Sequence, residues 1–473
     1  MKTSRMLLLL TVCALIFPTT VLAAIHYVSP TGKDSFAGTI STPWATPQKA
    51  FYSALAGDTV YFRNGAYDAS AQNYEGTSAP SAKNAEHPGT SAQPIIFAAY
   101  PGETPVISLG NNPIYIEYSY YIIDGLTFTS AGSAIFYGYD LTPTNLTVNN
   151  CTFTMISGGD NAAGVVVYGS GASILNNTFH GPYPTQTVYA TSVIAFRAQG
   201  LVVKNNNIDH FVNGIYFKHS NTCANTGNEF AYNYITNCGT GIRSVANYSY
   251  FHDNIIAGCS SGIIEGDVAG TGDCGVGGDY DIWRHNTVIG NLFKDYQDPS
   301  DYNTIKDNIF TQTNIYGSSF VYSDYNLYPT GNVVNAYSLS AWRTFLGGCP
   351  DSNSDCNSIG GSPIFTGGAT PSTIAGFALT SNSLGHAAAS DGKDMGADID
   401  SVGVQFVHLS AIHGPVKNNQ MSISRSGALP HCSIILANRR TALISGGKAF
   451  DIRGQRLRIS QVRPDGIFIS VEP

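Results

Sequence analysis

Between Asn177 and Asn308 an asparagine recurs with a large apolar residue two positions later and a Gly-Ile or near equivalent further on. Asn177, Asn206, Asn233, Asn254, Asn286 and Asn308 fill the first slot, and Phe179, Ile208, Ile235, Ile256, Val288 and Phe310 the second. Upstream, Cys151 with Phe153 and Leu126 with Phe128 occupy the same slots, and from Cys151 onward the steps are 26, 29, 27, 21, 32 and 22 residues. A period in this range marks a repeat architecture. Each repeat is too short for helices: β runs such as Leu201-Val202-Val203 and Gly214-Ile215-Tyr216-Phe217 alternate with turns rich in Asn, Gly, Ser and Asp. Uneven steps suit a coil whose strands keep register while its loops vary. The expectation is an all-β parallel β-helix with coils stacked at ~4.8 Å and equivalent residues in ladders. Asparagine at the bend is expected to take the left-handed backbone and bond to the coils above and below. A propeller or sandwich would not produce a single-asparagine column at this period.

Composition narrows the class. Only 12% of residues are charged, Gly numbers 50, and Tyr outnumbers Trp 28 to 3. This is the profile of an extracellular β protein, and a net charge of -8 offers nothing to nucleic acid. Residues 1–23 read as an export signal: Lys2 and Arg5, the apolar run Met6 to Phe17, then the small-residue site Val21-Leu22-Ala23. That run is too short to span a bilayer and no later one is longer. A secreted or surface location and a monomer are expected. Eight cysteines remain beyond Cys13. Cys349 and Cys356 bracket a short polar loop and are expected to pair. Cys238 and Cys259, each three residues before a Gly-Ile, should stack within bridging reach, or stay as buried thiols; Cys223 and Cys274 could staple two long loops.

The reading divides the chain into the signal, a solenoid over 24–402 with an N-terminal cap at about 24–67, and a small β module over 403–473. Thr46 and Pro47 begin a helix with Ala50, Phe51, Ala54 and Leu55 on its apolar face, suited to covering the open end of the coil. A polar insertion spans 68–94, coils run from Pro94 to about Tyr328, and segments around Phe365, Phe377 and Met395 look like last coils and a closing segment. The module carries nine Lys/Arg against three Asp/Glu, so it is +6 and the rest -14.

Tyr27-Val28-Ser29-Pro30-Thr31-Gly32, Pro43-Trp44-Ala45-Thr46 and Gly57-Asp58-Thr59-Val60-Tyr61 resemble the start of secreted right-handed parallel β-helix proteins of the pectate-lyase-like superfamily. Ala449 to Leu457 followed by Pro464-Asp465-Gly466-Ile467-Phe468-Ile469 is similar to C-terminal sorting modules of the type IX secretion kind, which implies surface attachment; a small β domain packing on the solenoid is the alternative.

In that superfamily the active groove lies on one sheet, here the Gly-Ile strands. Alternation places Val165, Val193, Ile215, Ile242, Ile263 and Leu292 inward. The next column points outward with Tyr216 and Arg243, and two positions on come Lys218 and Asp295. Lys218 and Arg243 are one coil and two positions apart, so their side chains can converge on one ligand. Arg197, His219, Glu265 and Asp267 lie at the same strand ends, and the acidic loop 266–273 is suited to Ca²⁺.

Elimination on a uronate polysaccharide removes the C5 proton and expels the 4-linked sugar. It needs positive charge on the carboxylate, from Ca²⁺ or arginine, and a base. Lys218 is read as the base, with His219 as alternative, and Arg243 as carboxylate partner or aid to the leaving oxygen. Arg197, Tyr216 and Asp295 are read as substrate contacts, and Glu265, Asp267 and Asp273 as Ca²⁺ ligands. Lys218-His219-Ser220 and Ile242-Arg243-Ser244-Val245-Ala246-Asn247 resemble the Lys-then-Arg pair of polysaccharide lyase family six, without that family's paired glutamates before the lysine. The opening is closer to family nine pectate lyases, which implies a lysine base with Ca²⁺. The competing readings are a non-catalytic glycan-binding or surface β-helix, and a glycoside hydrolase, which needs a carboxylate pair that the outward columns lack. The Asp-Pro-His-Asp motif of alginate epimerases is absent.

Overall fold

A computed structural model describes residues 23–70, 87–185, 190–196, 198–219, 227–265, 278, 280–295, 303–313, 320–334, 337–345, 347–349 and 355–404, with short strands between 433 and 469. The chain is an all-β right-handed parallel β-helix. Twelve parallel strands from Ile25–Val28 to Phe320–Asp324 form the first sheet. The second stack runs from Ala66–Asp68 through Thr178–His180 and Asn207–Asp209 to Ile359–Gly360, and the third from Ile114–Ile116 to Ser261–Glu265. The nine-residue strand Thr287–Asp295 crosses the bend and belongs to both. Coiling thus begins at Ile25, well before Pro94.

The asparagine column is continuous. Each Oδ1 accepts the backbone N–H and the side-chain amide of the preceding asparagine, as from Asn206 to Asn233 at 3.1 and 3.0 Å and from Asn233 to Asn254 at 3.1 and 2.9 Å. Each Nδ2 also reaches a carbonyl of the first sheet, such as Val203 O from Asn233 at 2.9 Å. Cys151 starts the column by donating its N–H to Asn177, and Asn326, donating to Ser358 Oγ at 2.9 Å, extends it by one coil beyond Asn308. The left-handed residue is not the asparagine. It is the residue before: Asn176, Asn205, Tyr232, Asp253, His285, Asp307 and Tyr325 have φ between 52 and 61°. The turn aims the asparagine inward, where its amide replaces the solvent that a buried bend would otherwise lack.

The Gly-Ile signal has a packing cause. A Cβ on Gly164 would lie 2.8 Å from the Phe179 ring, and one on Gly241 would collide with Ile256. The apolar residue two after the bend asparagine of the following repeat therefore needs the glycine beneath it.

Helix Pro47–Ser53 covers the first coil. Thr46 caps it by accepting Lys49 N–H, and the buried Phe51 stacks on Phe97 with centroids 4.0 Å apart. The helix is shorter than its apolar pattern suggested, and Leu55 lies beyond it, exposed. At the other end helix Leu339–Phe345 sets Trp342 Nε1 on Asp355 Oδ2 at 3.0 Å.

Residues 362–404 are not last coils. They run back along the bend between the first two sheets. Ser390 and Gly396 donate to Asp307, Asp398 to Asp253 and Gly403 to Tyr232, while Asn205 Nδ2 donates to Ser401 O. Phe365, Phe377, Met395 and Val402 pack with Ile255, Ile309 and Leu327 beneath this strap. The non-asparagine half of each bend is thus what the strap holds.

The expected cystines are not formed among the described residues. Cys238 and Cys259 are thiols turned back onto the carbonyls of Thr236 and Ala257, at 3.3 and 3.6 Å, and burial pushes the Cys238 thiol far up. Cys349 and Cys356 lie against each other, also as thiols; Cys223 and Cys274 fall outside the described residues.

By contact the chain divides into 1–408 and 409–473. The second unit holds an antiparallel sheet from Ser433–Ala437 to Arg456–Leu457 and a hairpin of Ile459–Arg463 with Gly466–Ile469. The export signal lies outside the described residues. No helix among the described residues is long and apolar enough to cross a membrane.

One largely buried network on the first sheet gives a pH-dependent stability. His252 bonds Glu229 Oε1 at 3.0 Å and Asp253 Oδ2 at 2.8 Å, and Lys204 bonds Glu229 at 3.2 Å. The His252 bond, opposed by desolvation and aided by Lys204, pulls Glu229 from 4.5 to about 2. Burial opposes the charge on His252, yet its two carboxylate bonds raise it above 6.5. A depressed carboxylate contributes stability above 4.5 that is lost as pH falls through about 2. A raised histidine contributes stability below 6.5 that is lost as pH rises through its higher folded value. The network therefore stabilises most between those two ordinary values. His252→Ala should flatten the denaturation midpoint against pH on both sides of that window; an unchanged profile would show the network to be energetically silent.

Candidate active site

The outward face of the third sheet carries the candidate site. Register puts Val165, Val193, Ile215, Ile242 and Ile263 in one inward column, as the alternation predicts. In backbone register Ile263 is followed by Phe293, not Leu292. The reason is that strand Thr287–Asp295 runs through the bend without the intervening loop of the other coils. The shift moves Asp295 into register with Glu265 and Ser244, away from Lys218.

Tyr216 and Arg243 are direct neighbours, and Lys218 follows two residues after Tyr216. A register shift after Ala195 places Phe196 opposite His219, so Lys218 sits at a bulge. Both cations lean toward earlier coils. Arg243 lies over the Tyr216 ring with Cζ 4.9 Å from its centroid. Lys218 lies over Phe196 at 5.8 Å and donates from Nζ to Asn161 Oδ1 at 2.6 Å. The two charges thus share one flank, each backed by an aromatic face.

The aromatic faces continue away from them. Phe196 stacks on Tyr168 at 4.8 Å, Tyr168 meets Tyr139 edge-on at 5.4 Å, and Tyr139 touches Phe136, which stacks on Tyr115 at 5.1 Å. Glu117, buried, accepts the N–H groups of Tyr139, Asp140 and Leu141 and so fixes the turn that presents Tyr139 to solvent. Burial raises the Glu117 carboxyl against the pull of those three bonds. Beneath the strip, Val166, Ile194 and Tyr216 form a second apolar cluster outside the coil interior.

The remaining sequence assignments divide. Tyr216 is 4% exposed, so it serves as a platform for Arg243 and offers no ring to a sugar. Glu265 is 0% exposed and accepts Trp283 Nε1–H at 2.7 Å inside the coil. Its position in the strand is inward, and it does not fit a Ca²⁺ site on the outer face. His219 is placed only by its backbone, and Asp295 likewise. Arg197, Asp267 and Asp273 lie outside the described residues. His252, Arg284 and His285 lie on the first sheet and its bend, away from this face: His252 bonds Glu229 and Asp253, Arg284 bonds Asp307 at 2.9 Å, and His285 bonds Gly396 O.

Asn161 and the strip Tyr115, Phe136, Tyr139, Tyr168 and Phe196 escaped the sequence reading. Tyr168 and Phe196 sit two residues after Val166 and Ile194, so counting the outward columns upstream of Tyr216 would have found them.

Residues 26–207 match a family model described as the Pel9A-like, right handed beta helix region. The chain is 41% identical over 96 residues to pectate lyase PEL9 of Emericella nidulans, which is 20% of this chain and 21% of that enzyme's length. Among solved structures it is similar to pectate lyase Pel9A: TM-score 0.53 at 14% identity, covering 79% of this chain and 95% of that one. The family match covers less than half of the chain, the chain spans about a fifth of the length of PEL9, and the likeness to Pel9A is one of fold.

Proposed function

We propose that this chain is an exported polysaccharide lyase that cleaves a uronic-acid polysaccharide by β-elimination on the outer face of the third sheet. The observation that carries the reading is the placement of Lys218 and Arg243 on one flank at the end of an aromatic strip. Uronate rings have apolar faces and a carboxylate edge, and such a strip ending in fixed cations is complementary to both. Arg243 pairs with the C6 carboxylate and stabilises the charge that develops when the C5 proton leaves. Lys218 is the proposed acceptor of that proton, a role for which its ammonium must first give up its own. The electron pair forms the C4–C5 double bond and the C4–O bond breaks, the leaving oxygen taking a proton from solvent water as it departs. His219 is the alternative base. The names of the relatives put pectate first among substrates. A Ca²⁺ requirement, measured as activity in chelator against added Ca²⁺, would rest on Asp267 and Asp273 and not on Glu265. The module at 403–473 is proposed to direct surface attachment.

A second reading is a non-catalytic glycan binder. Lys218 Nζ already bonds Asn161, and a lysine held as a donor suits binding as well as catalysis. The two are separated by incubating the chain with pectate, alginate and chondroitin sulfate, with and without Ca²⁺, and following ultraviolet absorbance of the unsaturated product. Rising absorbance supports elimination. Binding without it supports the second reading, and new reducing ends without it would indicate hydrolysis.

A further inference from the structure

The second sheet carries a separate cluster that the elimination reading does not use. Its outward column reads Thr154, His180, Asp209 and Thr236 in successive coils. His180 Nδ1 is 2.7 Å from Asp209 Oδ1. The next residue, His210, is left-handed at φ 59°, and this turn returns its ring to the same carboxylate, with Nδ1 3.1 Å from Oδ2. That nitrogen is buried and off the line of a hydrogen bond. The two imidazole centroids are 5.2 Å apart. One donor atom from each of the three residues lies within 4.8 Å of the others, and no other group of three or more His, Cys, Asp or Glu among the described residues does this.

We propose that His180, Asp209 and His210 form a binding site for a divalent transition ion of the Zn²⁺ type. Two imidazole nitrogens with one carboxylate oxygen suit Zn²⁺, Cu²⁺, Ni²⁺ or Co²⁺, whereas Ca²⁺ takes six or more oxygens. Metal–ligand bonds of about 2.0–2.2 Å hold tetrahedral donors ~3.3 Å apart, so the present contacts need only widen slightly around an ion. The main chain is already fixed. Asp209 O accepts Gly181 N–H at 3.0 Å, His210 O accepts Tyr183 N–H at 2.8 Å, and His210 N–H reaches Thr236 O. Both rings present a nitrogen to the same carboxylate, and the buried His210 Nδ1 lies off the hydrogen-bond line, so an ion between the three groups would engage donors that one carboxylate serves only imperfectly. The side of His180 open to solvent gives the ion its route, and the fourth position falls to water. The ion joins the coil of His180 to the coil of Asp209 and acts as a staple across one step of the solenoid.

The test is Zn²⁺ titration of the full chain, free of any added histidine tag, by calorimetry and by metal content after dialysis, with Co²⁺ as the spectroscopic probe. The expected result is one tightly held Zn²⁺, visible d–d bands with Co²⁺, and no displacement by Ca²⁺. His180→Ala, His210→Ala and Asp209→Asn should each weaken binding by about 10–100-fold or more, since even loss of an outer partner of a ligand has that effect. Thermal melting without metal should match the unaltered chain, which shows that each variant folds. The chain holds 11 histidines, so binding that survives in all three variants would place the ion elsewhere and overturn the proposal. An unaltered chain that takes up no Zn²⁺ would overturn it too. Neither result bears on elimination at Lys218, which is measured separately.

Discussion

Lys218→Ala should lower the rate of β-elimination by about 10²–10⁴-fold, the usual contribution of a positioned base. The fold should hardly notice. Lys218 is partly exposed, and its bonds are one contact with Asn161 and one with the Phe196 ring. At this partly exposed site, losing one hydrogen bond from the ammonium and one cation–π contact costs about 1–2 kcal/mol together. A melting curve close to that of the unaltered chain is therefore expected beside a near-silent assay. Arg243 should behave differently. Its guanidinium is read as a partner of the substrate carboxylate in both ground and transition states, so Arg243→Ala should raise KM and lower kcat together. Arg243→Lys should recover charge without the planar fork and restore only part of the loss. Full elimination by Lys218→Ala would remove that residue from the mechanism and turn attention to His219.

What the sequence shows is what is periodic. The asparagine column could be read because every coil repeats one chemical solution to one buried bend. The inward column of Val165, Val193, Ile215 and Ile242 followed from alternation alone, and with it the shared flank of Lys218 and Arg243. The left-handed position was misread because it is filled by Asn, Tyr, Asp and His in turn, a backbone requirement without a side-chain signature. Asp295 was misplaced because spacing says nothing about a strand that runs through its bend. Glu265 read as an outer ligand because charge is expected outside; its partner, Trp283, belongs to another sheet and no local pattern joins them. The strap of 362–404 was invisible for a related reason. It is aperiodic, and its partners lie as far as 198 residues away. The aromatic strip is legible in principle, since Tyr168 and Phe196 each lie two residues after the outward column of Val166, Ile194 and Tyr216, although the bulge at Lys218 then sets Phe196 opposite His219.

The second large effect is structural. Asn233→Ala should destabilise the coils around it by about 3–5 kcal/mol, the size expected when several buried polar groups lose their partners together. Asn233 Oδ1 accepts from Asn206 N and Nδ2, and its Nδ2 donates to Val203 O and Asn254 Oδ1, all in the interior. Alanine takes its side-chain acceptor from the Asn206 backbone N–H and its side-chain donor from the Val203 carbonyl, whereas Asn206 Nδ2 keeps Ile174 O and Lys204 O, and Asn254 Oδ1 keeps the bond from the backbone N–H of residue 233. Asn233→Asp should be worse, because a carboxylate would face the Val203 carbonyl and Asn254 Oδ1 with no proton to offer either. Asn233→Ser should be mildest: at the end of the column a hydroxyl, that of Ser358, already does the accepting. Each coil contacts only its neighbours, so the loss should appear as faster amide exchange in the adjoining coils before it appears in a global melt. Thr178→Ala, on an exposed strand position, is the control and should stay within about 0.5 kcal/mol. If Asn233→Ala matched that control, the column would be a passenger of β-stacking and not one of its causes.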